Sequence, residues 1–291
     1  MTEAKSMILI AESGSTKTAW RITDGDENTG FETAGLNPFF VDAGEVCSVI
    51  DTAWPKGLSR DVVREVHFYG AGCMGPKAKV IEVAMRDAFP KAAVHTYVDL
   101  LAAARALLGS QPGFVAILGT GTNSCLYDGE KISHHIDSLG YILGDEGSGT
   151  AIGRRLLSDF LRGAMPDDVH RAFDETYQLN SAEVLHRVYS EPAANAYCAG
   201  FTRFISEDRL QNAYFRTMLQ ECFDDFFRSL VSRYPGYREH AFNCVGSVAH
   251  AFRYVLAEVA VKWGMRMGRI VASPIEALTA FHRNIYSPTI L

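Results

Sequence analysis

One pattern occurs twice in this chain and constrains its fold more than any other feature. An apolar run, Met7-Ile8-Leu9-Ile10-Ala11, gives way to small turn residues, Glu12-Ser13-Gly14-Ser15, then to an alternating stretch at 18–23 around Trp20, and then to Asp24-Gly25. The series returns as Phe114-Val115-Ala116-Ile117-Leu118, Gly119-Thr120-Gly121-Thr122, an alternating stretch at 124–127 and Asp128-Gly129. The two Asp-Gly pairs stand 104 residues apart. Short apolar runs bounded by turn residues read as buried strands, and Asp-Gly favours a tight hairpin. Hairpins are common, so the weight of the repeat lies in its position. A chain of 291 residues divides into about two domains of roughly 150 residues, and the second copy begins near that division.

Between the copies, 31–34 reads as a third strand. A helix at 43–54, a strand at 66–69, a helix at 77–89, a strand at 94–98 and a helix at 102–108 follow. A three-stranded meander followed by strand–helix alternation implies a mixed sheet with helices on its faces. After the second hairpin the chain is mostly helical from 147 to 233, where Leu219, Cys222, Phe223, Phe226, Phe227, Leu230 and Val231 form one long stripe. A strand at 241–245 leads through Gly246-Ser247 into a helix ending near 263. A last strand at 269–272 precedes Ser273-Pro274, which suit an N-cap and first helical position. The expected class is α/β, with domains at 1–112 and 113–274 and a C-terminal helix, 275–291, joining the first. No linker or low-complexity stretch separates the halves, so they are expected to pack together.

Composition excludes several classes. Hydrophobic residues at 47% and charged residues at 21% rule against disorder, and a net charge of -6 offers no basic field for nucleic acid. The run 7–11 is too short for a signal peptide or a membrane span. Six cysteines, at 47, 73, 125, 198, 222 and 244, contain no C-x-x-C pair. They read as reduced thiols of a cytoplasmic protein, not as a zinc ribbon or disulfide framework.

Four segments have the residues for chemistry. Glu12-Ser13-Gly14-Ser15-Thr16-Lys17-Thr18 exposes backbone N–H groups, hydroxyls and a lysine to which phosphates can bind, although Thr16 replaces the glycine of a Walker A loop. Taken alone, it reads at least as well as a polar hairpin turn. Gly119-Thr120-Gly121-Thr122-Asn123 is the matching turn of the second half, and a pair of such turns across a cleft could grip a nucleotide from both sides. Gly144-Asp145-Glu146-Gly147 puts two acids among glycines before a helix, where they either orient a polyol or cap the helix. Asp99 ends a strand and starts a helix, a place for a base or for an N-cap.

Gly70-Ala71-Gly72-Cys73-Met74-Gly75 also fits G-x-G-x-x-G, with Asp99 24 residues on. That would imply an NAD-dependent enzyme. A dinucleotide fold normally opens with this unit, whereas here three strands and a helix precede it. His134-His135 point to opposite faces of a strand and cannot chelate one metal, so they read as a solvated hairpin.

In this order and spacing the segments resemble the acetate and sugar kinase/Hsp70/actin superfamily, and within it the BadF/BadG-type ATPase family with its N-acetylglucosamine kinase-like members. The resemblance covers nearly the whole chain. It implies two RNase H-like domains of the actin/hexokinase type, with ATP and Mg²⁺ in the interdomain cleft, and transfer of the γ-phosphate to the 6-hydroxyl of an amino sugar. It assigns Gly14, Ser15, Thr16 and Lys17 to the first phosphate loop and Gly119, Thr120 and Gly121 to the second. Gly246 and Ser247 fall in the adenosine motif, Asn37, Thr122, Asn123 and Asp145 on the sugar, and Asp99 at the catalytic base. Glu12 stands where the family's first loop usually has aspartate, so it would reach Mg²⁺ through water with one methylene more. Three other readings stay open: a sugar or ATP sensor of weak or no catalysis; an ATPase activator with an iron–sulfur cluster, for which Cys73 and Cys125 are few; and the NAD enzyme. Apolar helices in the second half suit a homodimer.

Overall fold

The computed structural model describes residues 6–24 and 28–286, the side chains of 285 and 286 excepted. Gly25 of the first Asp-Gly pair therefore lies outside the described residues. The chain forms two units. The first holds the described residues up to Gln111, Gly129–Lys131 and those from Ser273 on; the second holds Pro112–Asp128 and Ile132–Ala272.

In the first unit, β1 (Met7–Ser13), β2 (Lys17–Thr23) and β3 (Asn28–Ala34) form an antiparallel meander. Then come α1 (Ala43–Ala53), β4 (Val63–Gly70), α2 (Ala78–Ala88), β5 (Ala93–Val98) and α3 (Asp99–Leu108). The sheet order is β3-β2-β1-β4-β5, with β4 and β5 parallel to β1. β1 is apolar throughout because both its faces are covered. Leu9 and Ala11 pack with Trp20, Val46, Ile50, Phe68, Ile81 and Met85, while Ile10 packs with Ala19, Tyr69, Ala102 and Ala106. Strand period two therefore brings Glu12 out on the α3 face and Ser13 on the other. Trp20 is fully buried, stacked on Phe31 at 5.4 Å and edge-on to Phe68 at 6.0 Å. Burying about 200 Å² of indole contributes about 5 kcal/mol of transfer free energy, which makes it an anchor of this core. Helix α1 starts on a capping box, with Glu45 N–H donating to Asp42 Oδ1 at 2.9 Å and Asp42 N–H to Glu45 Oε2 at 2.8 Å.

The second unit repeats the plan. β6 (Gly113–Leu118), β7 (Thr122–Tyr127) and β8 (Ile132–His135) form the meander. A helical stretch follows: α4 (Gly140–Leu143), α5 (Gly149–Leu161), α6 (Asp167–Tyr177), α7 (Ser181–Tyr189), α8 (Ala194–Gly200) and α9 (Ala213–Ser229). Then come β9 (Ala241–Val245), α10 (Ser247–Ala251), α11 (Arg253–Lys262) and β10 (Arg266–Val271). Its order, β8-β7-β6-β9-β10, with β9 and β10 parallel, is the first sheet's order again. Two mixed five-stranded sheets of one topology accord with the duplicated strand–turn–strand opening, although that opening alone sets neither strand number nor order. The stripe of α9 is buried as its spacing requires, with Phe223, Phe226 and Phe227 packed against Phe114, Leu118 and Phe242.

The chain then returns to the first unit as α12 (Ile275–Tyr286), whose Ile275 and Leu278 pack on Ile10 and Ala102. A buried polar layer lies beneath it. Arg105 Nη1 donates to the Tyr69 hydroxyl at 2.6 Å, which leaves the tyrosine proton for His282 Nε2 at 2.9 Å. His282 packs against His67 with ring centroids 4.0 Å apart and the rings tilted by 31°. Burial, first of all, pushes His67 down to about 2 and His282 to about 4, so both imidazoles are neutral at physiological pH.

Candidate functional site

At the C-terminal edge of the first sheet, β1 and β2 are joined by a tight turn in which Gly14 N–H donates to Lys17 O at 2.9 Å. The turn is backed by the chain at Gly35, whose N–H donates to Thr16 O at 3.1 Å; a Cβ there would sit 2.5 Å from Gly14 O. Ser13 fixes the base of this turn. Its fully buried Oγ accepts Leu36 N–H at 2.9 Å and lies 2.8 Å from Thr18 Oγ1. Ser15, Thr16 and Lys17 are exposed. Lys17 Nζ reaches Glu32 across the hairpin at 2.8 Å, an exposed ion pair of about 0–1 kcal/mol that an incoming anion can displace.

Two carboxylates stand at the same edge, at the ends of β1 and β5. Asp99 is the first residue of α3, and its Oδ1 accepts the Leu100 N–H at 2.8 Å. It does not cap the helix: the N-cap position is Val98, without a side-chain bond. Burial raises Asp99 to about 6. Glu12 rises to about 7, through burial first and then the charge of Asp99, with Lys17 opposing. The Cys73 thiol feels Asp99 as well and is pushed up to about 12, mostly by burial.

Asn37 comes to the same end of the sheet. Its Oδ1 accepts Phe39 N–H at 3.0 Å. Gly72, at φ +78, leaves room for it, since a Cβ there would lie 2.6 Å from Asn37 Oδ1. The G-x-G-x-x-G run is thus a close-approach loop after the fourth strand of the sheet. Gly72 makes room for the Asn37 and Phe39 side chains of this unit.

In the second unit three glycine-bearing segments meet at the end of β6. The turn Gly119–Gly121 is closed by Gly119 N–H donating to Gly121 O at 3.0 Å and is braced from α5 by Gly149 N–H to Gly119 O at 2.8 Å and Thr150 N–H to Thr120 O at 3.1 Å. Asp145, buried and at φ +56, accepts the Thr122 N–H on Oδ1 at 3.0 Å, and its Oδ2 would be 3.1 Å from a Cβ at Gly121. Burial raises its pKa, against hydrogen bonds from Thr122 N–H and Ser138. Helix α5 is capped by Ser148, whose Oγ accepts Ala151 N–H at 3.1 Å, so the acids before it are not its caps. Gly246 adopts φ +127 and packs so closely that a Cβ would collide with the Leu118 carbonyl oxygen. The glycine of the expected adenosine motif is therefore required first by the backbone of the neighbouring turn. Asn123 is half-buried in β7, its Oδ1 2.9 Å from His135 Nε2.

Within the first unit the structure brings together Glu12, the turn 14–17, Asn37 and Asp99. Within the second it brings together 119–123, Asp145 and Gly246-Ser247. Sequence reasoning missed Ser13, legible only as a hydroxyl ending an apolar strand, and His135, read there as part of a solvated hairpin. All six cysteines are free thiols. Among the described residues no helix is long and apolar enough to cross a membrane.

No protein-family model and no curated protein matches the chain. Solved structures do. A candidate N-acetylglucosamine kinase from Porphyromonas gingivalis is 39% identical with TM-score 0.92, over 96% of this chain and 100% of that one. Another from Chromobacterium violaceum is 17% identical with TM-score 0.65, over 96% and 99%. A ROK family glucokinase from Streptomyces griseus, in complex with glucose and AMPPNP, is 14% identical with TM-score 0.57, over 95% and 98%. These last two share the fold.

Proposed function

The chain belongs to the N-acetylglucosamine kinase-like family of the acetate and sugar kinase/Hsp70/actin superfamily, and on that premise we propose that it is a sugar kinase, transferring the γ-phosphate of ATP to the 6-hydroxyl of an amino sugar, with N-acetylglucosamine foremost. The observation that carries this reading is Asp99: a carboxylate at the C-terminal edge of parallel strands, kept near pKa 6 by burial. A base poised close to working pH is what proton removal from an alcohol needs.

Phosphoryl transfer is mostly positioning and charge neutralisation. In this proposal the turns 14–17 and 119–121 take the triphosphate through backbone N–H groups and the hydroxyls of Ser15, Thr16 and Thr120. Lys17 gives up Glu32 for phosphate. Gly246 and Ser247 take the nucleoside. Asn37, Thr122, Asn123 and Asp145 hold the sugar through donor–acceptor pairs, which penalise an analogue lacking a partner group. Asp99 orients the 6-hydroxyl and accepts its proton late. The protein would work in the cytoplasm.

The residues present suit Mg²⁺. Glu12 feels the charge of Asp99 in a half-buried setting, and the oxygens of both are hard donors. Among the described residues no group of three or more His, Cys, Asp or Glu forms a protein cage, so the ion would be held chiefly by phosphate oxygens and water, with Glu12 beyond the water. When bound, it neutralises charge on the transferring phosphoryl group.

One observation favours a second reading. Glu12 stands where the family's first loop usually has aspartate, and its extra methylene would displace the carboxylate relative to an ion strict about its geometry, which suits a sugar sensor of weak or no turnover. A coupled assay of ADP release with a panel of amino sugars, ATP and Mg²⁺ tests both. Sugar-dependent turnover is expected; sugar binding without ADP release would overturn the kinase in favour of the sensor.

A further inference from the structure

Asn123 has four hydrogen-bonding positions, two lone pairs on Oδ1 and two protons on Nδ2. Both lone pairs are engaged inside the second unit: Oδ1 accepts the Ser124 N–H at 3.0 Å and lies 2.9 Å from His135 Nε2. A backbone N–H can only donate, so the atom facing Ser124 is the oxygen, and the amide orientation follows from the chain itself. His135 Nε2 therefore carries a proton. The other ring nitrogen, Nδ1, stands 3.5 Å from Asp137 Oδ1, so the imidazole is held between an amide oxygen and a carboxylate. Register explains the contact. His135 pairs with Cys125 across β7 and β8, which makes Asn123 its diagonal neighbour on one face, within reach of a long side chain.

We infer that His135 is a positioning residue that presents Asn123 as a donor only, so that the group Asn123 reads in the sugar is an oxygen acceptor. With Oδ1 saturated, the Nδ2 protons are all that Asn123 can offer a ligand. Resting on the kinase reading above, this narrows what faces β7 to an acetamide carbonyl or the lone pair of a hydroxyl, and it disfavours a group that must donate, such as a free ammonium.

Calorimetric titration of N-acetylglucosamine into the full-length protein and its variants tests the inference. His135→Ala should weaken sugar binding by roughly five- to tenfold, the worth of one oriented hydrogen bond. His135→Gln, whose amide N–H can still reach Oδ1, should stay within about twofold of the unaltered protein. In an Asn123→Ala background His135→Ala should add nothing, because its effect passes through Asn123. Wild-type affinity in His135→Ala, or additive losses in the double variant, overturns the inference. Glucosamine and the series of single-deoxy analogues separate the acceptors: the analogue on which His135→Ala has no penalty lacks the oxygen that Asn123 reads, and a penalty surviving on all of them overturns the donor assignment. The Asn123 side-chain amide pair in ¹⁵N NMR, recorded without ligand, isolates the positioning step. It should shift in His135→Ala and be retained in His135→Gln, and an unmoved pair in the alanine variant overturns the inference. Absence of any amino-sugar binding by the unaltered protein overturns the sugar assignment itself, while the amide pair still decides the pinning.

Discussion

The carboxylate of Asp145 accepts the backbone N–H of Thr122 at 3.0 Å, across 23 positions of sequence, while its own backbone sits at φ +56. A buried acid thus braces the turn that begins β7. Asp145→Ala would leave the Thr122 N–H unpaired, at about 1–3 kcal/mol, and put alanine in a left-handed conformation, at about 1 kcal/mol more. Asp145→Asn keeps the acceptor and tolerates that backbone. Urea unfolding should show a loss of about 2–4 kcal/mol for alanine and about 1 kcal/mol or less for asparagine.

Asp99→Asn should lower kcat by about 10²- to 10⁴-fold, the usual worth of a positioned base, and change sugar affinity little. Steady-state kinetics beside sugar titration make the separation. A near-normal kcat would remove Asp99 from the proposed role.

Stability of the ligand-free protein should be greatest between about pH 4 and 6.5, because two sets of groups titrate in opposite senses. Glu12 and Asp99 have folded values of about 7 and 6 against ordinary values of 4.5 and 3.8. The folded state holds their protons longer, so their contribution is full at low pH and is lost as pH rises through about 4 to 7. His67 and His282 have folded values of about 2 and 4 against 6.5. The unfolded state takes up their protons first, so stability falls as pH drops below 6.5. In a thermal-shift series, the gain of Asp99→Asn over the unaltered protein should grow from pH 5 to pH 8. His282→Gln, referred to its own value at pH 8, should lose less on acidification. Parallel curves for all three proteins would refute this account.

Gly246→Ala should cost more than about 3 kcal/mol and abolish nucleotide binding, since its Cβ would meet the Leu118 carbonyl and its φ of +127 suits glycine alone. Thermal unfolding and binding of a fluorescent ATP analogue check this. A normal melting temperature would mean that β6 and α10 yield more easily than their packing indicates.

Glu12→Asp would restore the residue usual in the family's first loop. Half-saturation by Mg²⁺ should change several-fold at unchanged sugar KM, because one methylene alters the reach of the carboxylate toward an ion strict about its octahedral geometry. Unchanged Mg²⁺ dependence would show that the extra methylene is harmless.

Much of this was legible in the sequence, and the reason is local. The strand–turn–strand repeats had apolar runs and turn residues whose meaning depends on immediate neighbours, so both opening hairpins and a mixed sheet flanked by helices followed, while the sheet order and the strand β8 did not. The helical stripe through Phe223 and Phe227 was read correctly for the same reason. What escaped depends on partners far along the chain. Gly246 was read as making room for a nucleoside, but Leu118, 128 residues earlier, already demands it. His135 was read from strand alternation alone, which says nothing of a diagonal asparagine. Ser13 carries no signal beyond being small and polar, and its buried bonds to Leu36 and Thr18 exist only once β1, β2 and the chain after β3 have met.

The Tyr69–His282 hydrogen bond joins residues 213 positions apart, with the whole second unit lying between them in the chain. On the ribosome, therefore, the first sheet is synthesised long before the helix that roofs its imidazole layer. Until α12 emerges, the nascent chain carries a half-dressed aromatic face containing Tyr69 and Tyr97, the kind of surface that holding chaperones bind. The protein's vulnerability to aggregation should accordingly span the synthesis of the second unit and close only when α12 docks.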